Sequence, residues 1–159
     1  MHNYIKINGI STSPLYCSIV LDCINTMTDR LIRSSKTIVR IANLINQNPK
    51  ISVRHASISI DPSYKKALKF YNKNNGETIY PSVLTITVPM DEKSTIDWIR
   101  STGIEHKTSF GSSTSRFCTW LQSINESTTK CRLAIGYEDD YEKLCIALKD
   151  LIQMIDYNL

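Results

Sequence analysis

Residues 82 to 89, "SVLTITVP", alternate strictly, with Leu84, Ile86 and Val88 on one side and Val83, Thr85 and Thr87 on the other. A period of two predicts a strand with one face on a core. "ISVRHASISI" (51–60) is a second β-rich run, and "HKTSF" (106–110) and "CRLAIG" (131–136) predict two more strands. Elsewhere the spacing is helical. From Thr28 to Lys50 one face collects Leu31, Ile38, Ala42 and Ile45, with Thr28 or Asp29 as cap and Pro49 as stop. The preceding "SPLYCSIVLDCINTM" opens on Ser-Pro, a good helix start, and predicts a separate helix packed nearby. "DPSYKKALKFYNKNNG" reads as a helix ended by Asn-Gly, and "EKSTIDWIRSTG" as a short helix ended by Gly103. In the final helix Leu144, Leu148, Leu151, Ile152 and Ile155 line one side. Asp139, Asp140 and Glu142 gather at its start, where the helix dipole favours negative charge. These elements predict an α/β (α+β) fold, helices flanking one small sheet. One domain is expected over 1–159, with two helices in 1–48 and a sheet-and-helix body in 49–159.

Length and composition narrow the class. A chain of 159 residues suits one compact core, and 42% apolar with 21% charged residues is ordinary for a soluble globular protein. No apolar run approaches the roughly 18 residues a membrane span needs, and "MHNYIKINGIS" has no signal or transit pattern, so a cytoplasmic protein is expected. Five cysteines, at 17, 23, 118, 131 and 145, show no C-x-x-C spacing and read as reduced thiols. The net charge of +4 is mild and its cations are interspersed. Lys65, Lys69 and Lys73 form the nearest thing to a stripe, which reads as a solvated helix face, so neither a nucleic-acid partner nor a membrane partner is expected.

Few residues suggest chemistry. His2, His55 and His106 are dispersed and pair with no cysteine or carboxylate at metal-ligand spacing. "GSSTS" has hydroxyls but no G-x-S-x-G elbow. Trp98, Trp120 and the tyrosines read as packing residues, or as an uncovered interface. Arg132 stands out. In "CRLAIG" period two sends Leu133 and Ile135 to one face and Arg132 and Ala134 to the other, so the guanidinium stands beside a small residue and short of a glycine. Its planar fork matches a carboxylate bidentately, and a strand is a rigid mount from which to aim it. Spacing alone fits an internal ion pair or plain exposure better.

Resemblance shifts that balance. "CRLAIGYEDDYEKLCIALKDLI" resembles the end of the cystathionine γ-synthase, cystathionine lyase, methionine γ-lyase and O-acetylhomoserine sulfhydrylase family of pyridoxal-phosphate enzymes, where a strand v-R-l-S-v-G-i-E-D precedes the last helix. "TSFGSSTSRF" is similar to that family's S-L-G-x-x-E-S/T-L. The segment "SPLYCSIVLDCINTMTDRLIRSSKTIVRIANLINQNPKI" resembles its S-P-f-x-a-x-l-l-l-R-G-L-k-T-L-x-x-R-m, with Ser13, Pro14, Thr26 and Arg30 in matching places. The likeness runs in order over about residues 9 to 157. It implies a mostly antiparallel sheet of about four strands, as in the C-terminal domain of fold-type I pyridoxal-phosphate transferases. It also implies that Arg132 holds the α-carboxylate of an amino-acid substrate, with Ser109 beside it.

The departures define what the chain lacks. In the family the Schiff-base lysine, the glycine-rich phosphate cup and the aspartate at the pyridine nitrogen come from a larger preceding domain. Here the five glycines are scattered and no lysine stands in an S-x-T-K context, so no cofactor is expected in this chain alone, and pyridoxal phosphate only if a partner large domain completes it. Arg-Gly of the first motif is Asp22-Cys23, and the glutamate of S-L-G-x-x-E is Thr114. No catalytic residue is assigned. Three readings follow: the small subunit of a split enzyme docking on a separately encoded large domain, a stand-alone amino-acid-binding module, or a remnant without ligand. Because "PLYCSIVL" is more apolar than one buried helical face needs, self-association is expected.

Overall fold

The computed structural model describes residues 13–71, 73–74, 76–108 and 113–153. Contacts divide the chain into two compact units, Met1–Arg30 and Leu31–Leu159.

Helix α1 runs unbroken over Pro14–Ile45, 32 residues, where the sequence predicts two helices meeting near Thr28. The reason is local. Pro14 opens it after Ser13, whose carbonyl receives Cys17 N–H, and no glycine or second proline follows before its end. Hydroxyls along it bond back onto their own helix: Thr26 donates to the Cys23 carbonyl and Ser34 to that of Leu31. The end is tightened by Gln47 N–H on Leu44 O and Asn48 N–H on Ile45 O, just before Pro49.

In the first unit the described part of α1 presents Leu15, Tyr16, Ile19, Val20, Leu21, Ile24 and Met27, all exposed. Arg30 folds back along this helix, its guanidinium donating to the carbonyls of Cys23 and Thr26.

In the second unit the rest of α1 buries Ser34, Ser35, Ile38, Ile41, Ala42 and Ile45, while Leu31 stays 47% exposed. Next come β1 (Ser52–Arg54), α2 (Tyr64–Phe70), β2 (Lys73–Asn74), β3 (Glu77–Thr78), β4 (Val83–Val88) and α3 (Glu92–Ser101). They are followed by β5 (Glu105–His106), β6 (Arg116–Phe117), β7 (Gln122–Asn125), β8 (Thr128–Ala134) and α4 (Tyr141–Gln153). The main sheet has six strands in the order β1-β4-β8-β6-β5, with β7 also on β8, and only β5–β6 is parallel. The α/β class and the mostly antiparallel sheet therefore hold, with more strands than expected.

β4 follows its alternation, burying Leu84, Ile86 and Val88, and β8 buries Thr129, Cys131 and Leu133 on the same side. With Val53, Phe117 and Ile135, and with Ile38, Ile41, Ile45, Trp98, Ile99, Leu144 and Leu148 from α1, α3 and α4, they form one core. Each fully buried Leu or Ile contributes about 1.5–3 kcal/mol relative to exposure. Trp98 meets Phe117 edge-on at 5.2 Å. Trp120, read as a packing residue, is 79% exposed.

Two elements are shorter than predicted. "ISVRHASISI" is a strand only at Ser52–Arg54, because His55 and Ile58 then close a turn, Ile58 N–H on His55 O, that buries Ala56 and Ile58. Helix α2 stops at Phe70, and Lys73–Asn74 instead pairs with Glu77–Thr78 next to Gly76, whose φ of +86° suits glycine. Lys73 thus leaves the expected lysine stripe. α3 behaves as predicted: Asp91 caps it through Ser94 N–H, and Gly103 follows at φ +70°. In α4, Asp140 accepts from Lys143 N–H at 2.7 Å as an N-terminal cap. Ile155 lies outside the described residues.

Candidate functional site

Strand β8 is the centre of the sheet, paired with β4 along its length on one side and with β6 and β7 on the other. Its alternation sends Lys130, Arg132 and Ala134 to the face away from the core, as the sequence predicts. Arg132 is half-buried and makes an interaction of its own within the chain. The register sets its neighbours. Thr85 of β4 stands opposite Arg132, and Arg54 of β1 opposite Thr85, while Arg116 of β6 stands opposite Ala134. Cys118 N–H donates to the Arg132 carbonyl at 2.9 Å, extending the ladder beyond β6. The Arg132 side chain thus rises from a strand held on both edges, beside the small side chains of Thr85 and Ala134.

This face carries Arg54, Arg116, Lys130 and Arg132, against two carboxylates already engaged. Asp61 takes Arg54 Nε at 2.7 Å, and Glu105 takes Arg116 Nε at 2.9 Å and Lys107 Nζ at 3.1 Å. Burial pushes the Asp61 carboxyl up, but hydrogen bonds from Ser63 N–H and Oγ and from Arg54 outweigh it and hold the group down at about 2. Glu105 is lowered too, by Lys107 first and then by Arg116. Both acids are ionised at neutral pH, Asp61 against Arg54 and Glu105 between Arg116 and Lys107.

The end of β8 is fixed by a strap. Gly136 N–H donates to Ser115 Oγ at 3.0 Å, Glu138 N–H to the Ser113 carbonyl at 2.9 Å, and Ser115 N–H to the Asp139 carboxylate. A Cβ at Gly136 would run into the Ser113 carbonyl oxygen and the Thr114 backbone. This is the close approach that glycine permits. The strap ties Ser113–Ser115 to the β8–α4 turn, which joins two stretches the sequence singles out. Ser109 lies outside the described residues, so its predicted place beside Arg132 has no geometry.

Other predicted features take structural places. His55 is buried, with Ser57 Oγ at 2.7 Å from Nδ1 and the Pro81 carbonyl at 2.9 Å from Nε2, and burial lowers its pKa. His106 Nε2 sits 3.1 Å from the Cys118 carbonyl. Among the described residues no group of three His, Cys, Asp or Glu could hold a metal. Cys118 and Cys131 are buried, and burial pushes the Cys131 thiol up to about 12. A cavity of about 310 Å³ is lined by Thr102, Glu105, Ser115, Asp139, Lys143 and Leu144 among others, and Arg132 is not part of it.

Sequence reading missed Arg54, Arg116 and Lys130 as companions of Arg132. Lys130 was within reach, since period two already places it on Arg132's side. Arg54 and Arg116 depend on register, which no single strand states.

The described residues do not fit a pyridoxal-phosphate site. The positive-φ glycines stand far apart in the chain, Gly76 at a hairpin and Gly103 after α3, and Gly136 is jammed against the strap. No loop gathers their amides as a phosphate cradle would require, and Lys107 is spent on Glu105.

No family model matches the sequence, and no curated protein matches it. Among solved structures, the fold is similar to a cystathionine gamma synthase from Xanthomonas oryzae pv. oryzae, at a TM-score of 0.72 and 15% identity. The match covers 96% of this chain and 41% of that one. The chain therefore shares the fold of a part of a cystathionine gamma synthase. No helix among the described residues is long and apolar enough to cross a membrane.

Proposed function

We propose that this chain is a carboxylate-binding domain of the sulfur amino-acid type: a C-terminal domain or small subunit of a pyridoxal-phosphate enzyme that contributes Arg132 to the α-carboxylate of the substrate and catalyses nothing by itself. The carrying observation is the position of Arg132 on the central strand of the sheet, on an outward face that also carries Arg54, Arg116 and Lys130. Two facts support the ligand class. The neighbour of like fold was solved with aminoacrylate and cysteine, both α-carboxylates. A guanidinium also recognises such a group by a two-bond fork that an ammonium cannot copy. The described residues gather no phosphate cradle beside a lysine, so carbanion chemistry would come from a large domain outside them.

Titration calorimetry with methionine, cysteine, homocysteine and cystathionine tests the reading. Binding is expected for the free acids and not for their methyl esters. Two charge-assisted hydrogen bonds at about 1.5 kcal/mol each make Arg132→Ala weaker by roughly 100-fold. Arg132→Lys, which keeps the charge and loses the fork, falls between. Heat that is absent in the native chain, or equal in native chain and Arg132→Ala, refutes it. A companion is sought by co-purification from the native host and an absorbance scan for a lysine-bound pyridoxal band.

A further inference from the structure

We propose that the first half of α1 is an interface between two copies of this chain. Tyr16, Val20, Ile24 and Met27 recur at helical spacing, i, i+4, i+8 and i+11, and Ile19 flanks them. All five are 48–64% exposed. The stripe is in phase with the one α1 buries further on, since Ser34, Ile38, Ile41 and Ile45 continue the same three-and-four steps. An amphipathic pattern of this kind is one that elsewhere in the same helix is covered.

Three observations select a second copy as the cover. The area comes first. Five large apolar side chains at half to two-thirds exposure offer on the order of 500 Å², and two such faces bury about 1,000 Å², the threshold a biological protein–protein interface reaches. Charge comes second. Asp22 and Asp29 lie on the opposite side of the helix by spacing, and Arg30, the nearest cation, is turned back onto the Cys23 and Thr26 carbonyls, so no ion has to be desolvated. Self-complementarity comes third. A twofold axis near the middle of the stripe sets Tyr16 against Met27 of the other copy and Ile19 against its Ile24, large residues over large. The antiparallel pairing also opposes the helix dipoles favourably.

Sedimentation equilibrium of the full chain reads this directly. A reversible monomer–dimer equilibrium with micromolar Kd is expected, as suits an interface of that size. Val20→Asp with Met27→Asp should give a monomer, and because both positions are exposed the far-UV circular dichroism should not change. Arg132→Ala should leave the dimer intact, which separates this proposal from the ligand reading. A native chain that stays monomeric at about 200 µM, a dimer unaffected by the double substitution, or assembly beyond two copies overturns it.

Discussion

Gly136→Ala concentrates the strap's energetics in one methyl group. The added Cβ overlaps the Ser113 carbonyl oxygen and the Thr114 backbone, and backbone, unlike the tip of a long side chain, cannot swing aside. Residues 113–115 must therefore move off the β8–α4 turn. That displacement strains or breaks Gly136 N–H to Ser115 Oγ, Glu138 N–H to Ser113 O, and Ser115 N–H to the Asp139 carboxylate. Overpacking costs about 1–3 kcal/mol. Two neutral hydrogen bonds add about 1 kcal/mol each and the charge-assisted one about 2. Partial relaxation keeps the sum below its limit, so a loss of about 3–5 kcal/mol is expected, a large share of the roughly 5–15 kcal/mol a domain has. Urea unfolding followed by tryptophan fluorescence measures it, since Trp98 is buried against Phe117. Ser115→Ala serves as control: it removes one acceptor without a clash and should cost about 1–2 kcal/mol. If Gly136→Ala unfolds within about 0.5 kcal/mol of the native chain, the close approach is not a constraint and the strap does not hold the end of β8.

The Asp61 carboxyl, held at about 2 when folded against about 3.9 in the unfolded chain, gives a second test. A depressed folded pKa stabilises above the unfolded value, and the contribution disappears as pH falls through the folded one, between about pH 4 and 2. Arg54 is 59% exposed, so screening reduces the effect, and Asp61→Asn should cost about 1–2 kcal/mol at pH 7 and almost nothing near pH 2 by denaturant titration. An equal cost at both pH values would discard the charge argument. The thiols provide a third: Cys17 and Cys23 are exposed and should react with a disulfide reagent within minutes, whereas Cys131, buried and raised to about 12, should react only on unfolding. Rapid native labelling of Cys131 would contradict its place in the core.

What the sequence makes legible is what depends on short-range pattern. The alternation of "SVLTITV" fixes β4 and its buried side, the outward direction of Arg132 follows from period two, and Asp91 and Gly103 mark the ends of α3. What escapes depends on partners distant in the chain. Thr28 and Asp29 suggest a helix start, yet the helix runs through them without a break from Pro14 to Ile45. "ISVRHASISI" is β-rich throughout, yet only three residues find a ladder, because His55 is drawn aside by Ser57 and the Pro81 carbonyl. The cationic face follows the same logic: Arg54 and Arg116 join Arg132 through register, and register is a property of the assembled sheet. The likeness of fold to part of a larger enzyme agrees with the resemblance carried by the motifs.

The central position of β8 has a consequence for how the chain comes into being. Its longest pairing joins Thr129–Ala134 to Val83–Val88, strands far apart in order of synthesis, and β1 and β6 attach around that pair. On the ribosome the sheet cannot close until Thr129–Ala134 have emerged, well after Val83–Val88. Until then the oily side of α1 waits in water, open to chaperones and to neighbouring nascent chains. A premature stop before residue 128 would leave a sheet without its keystone.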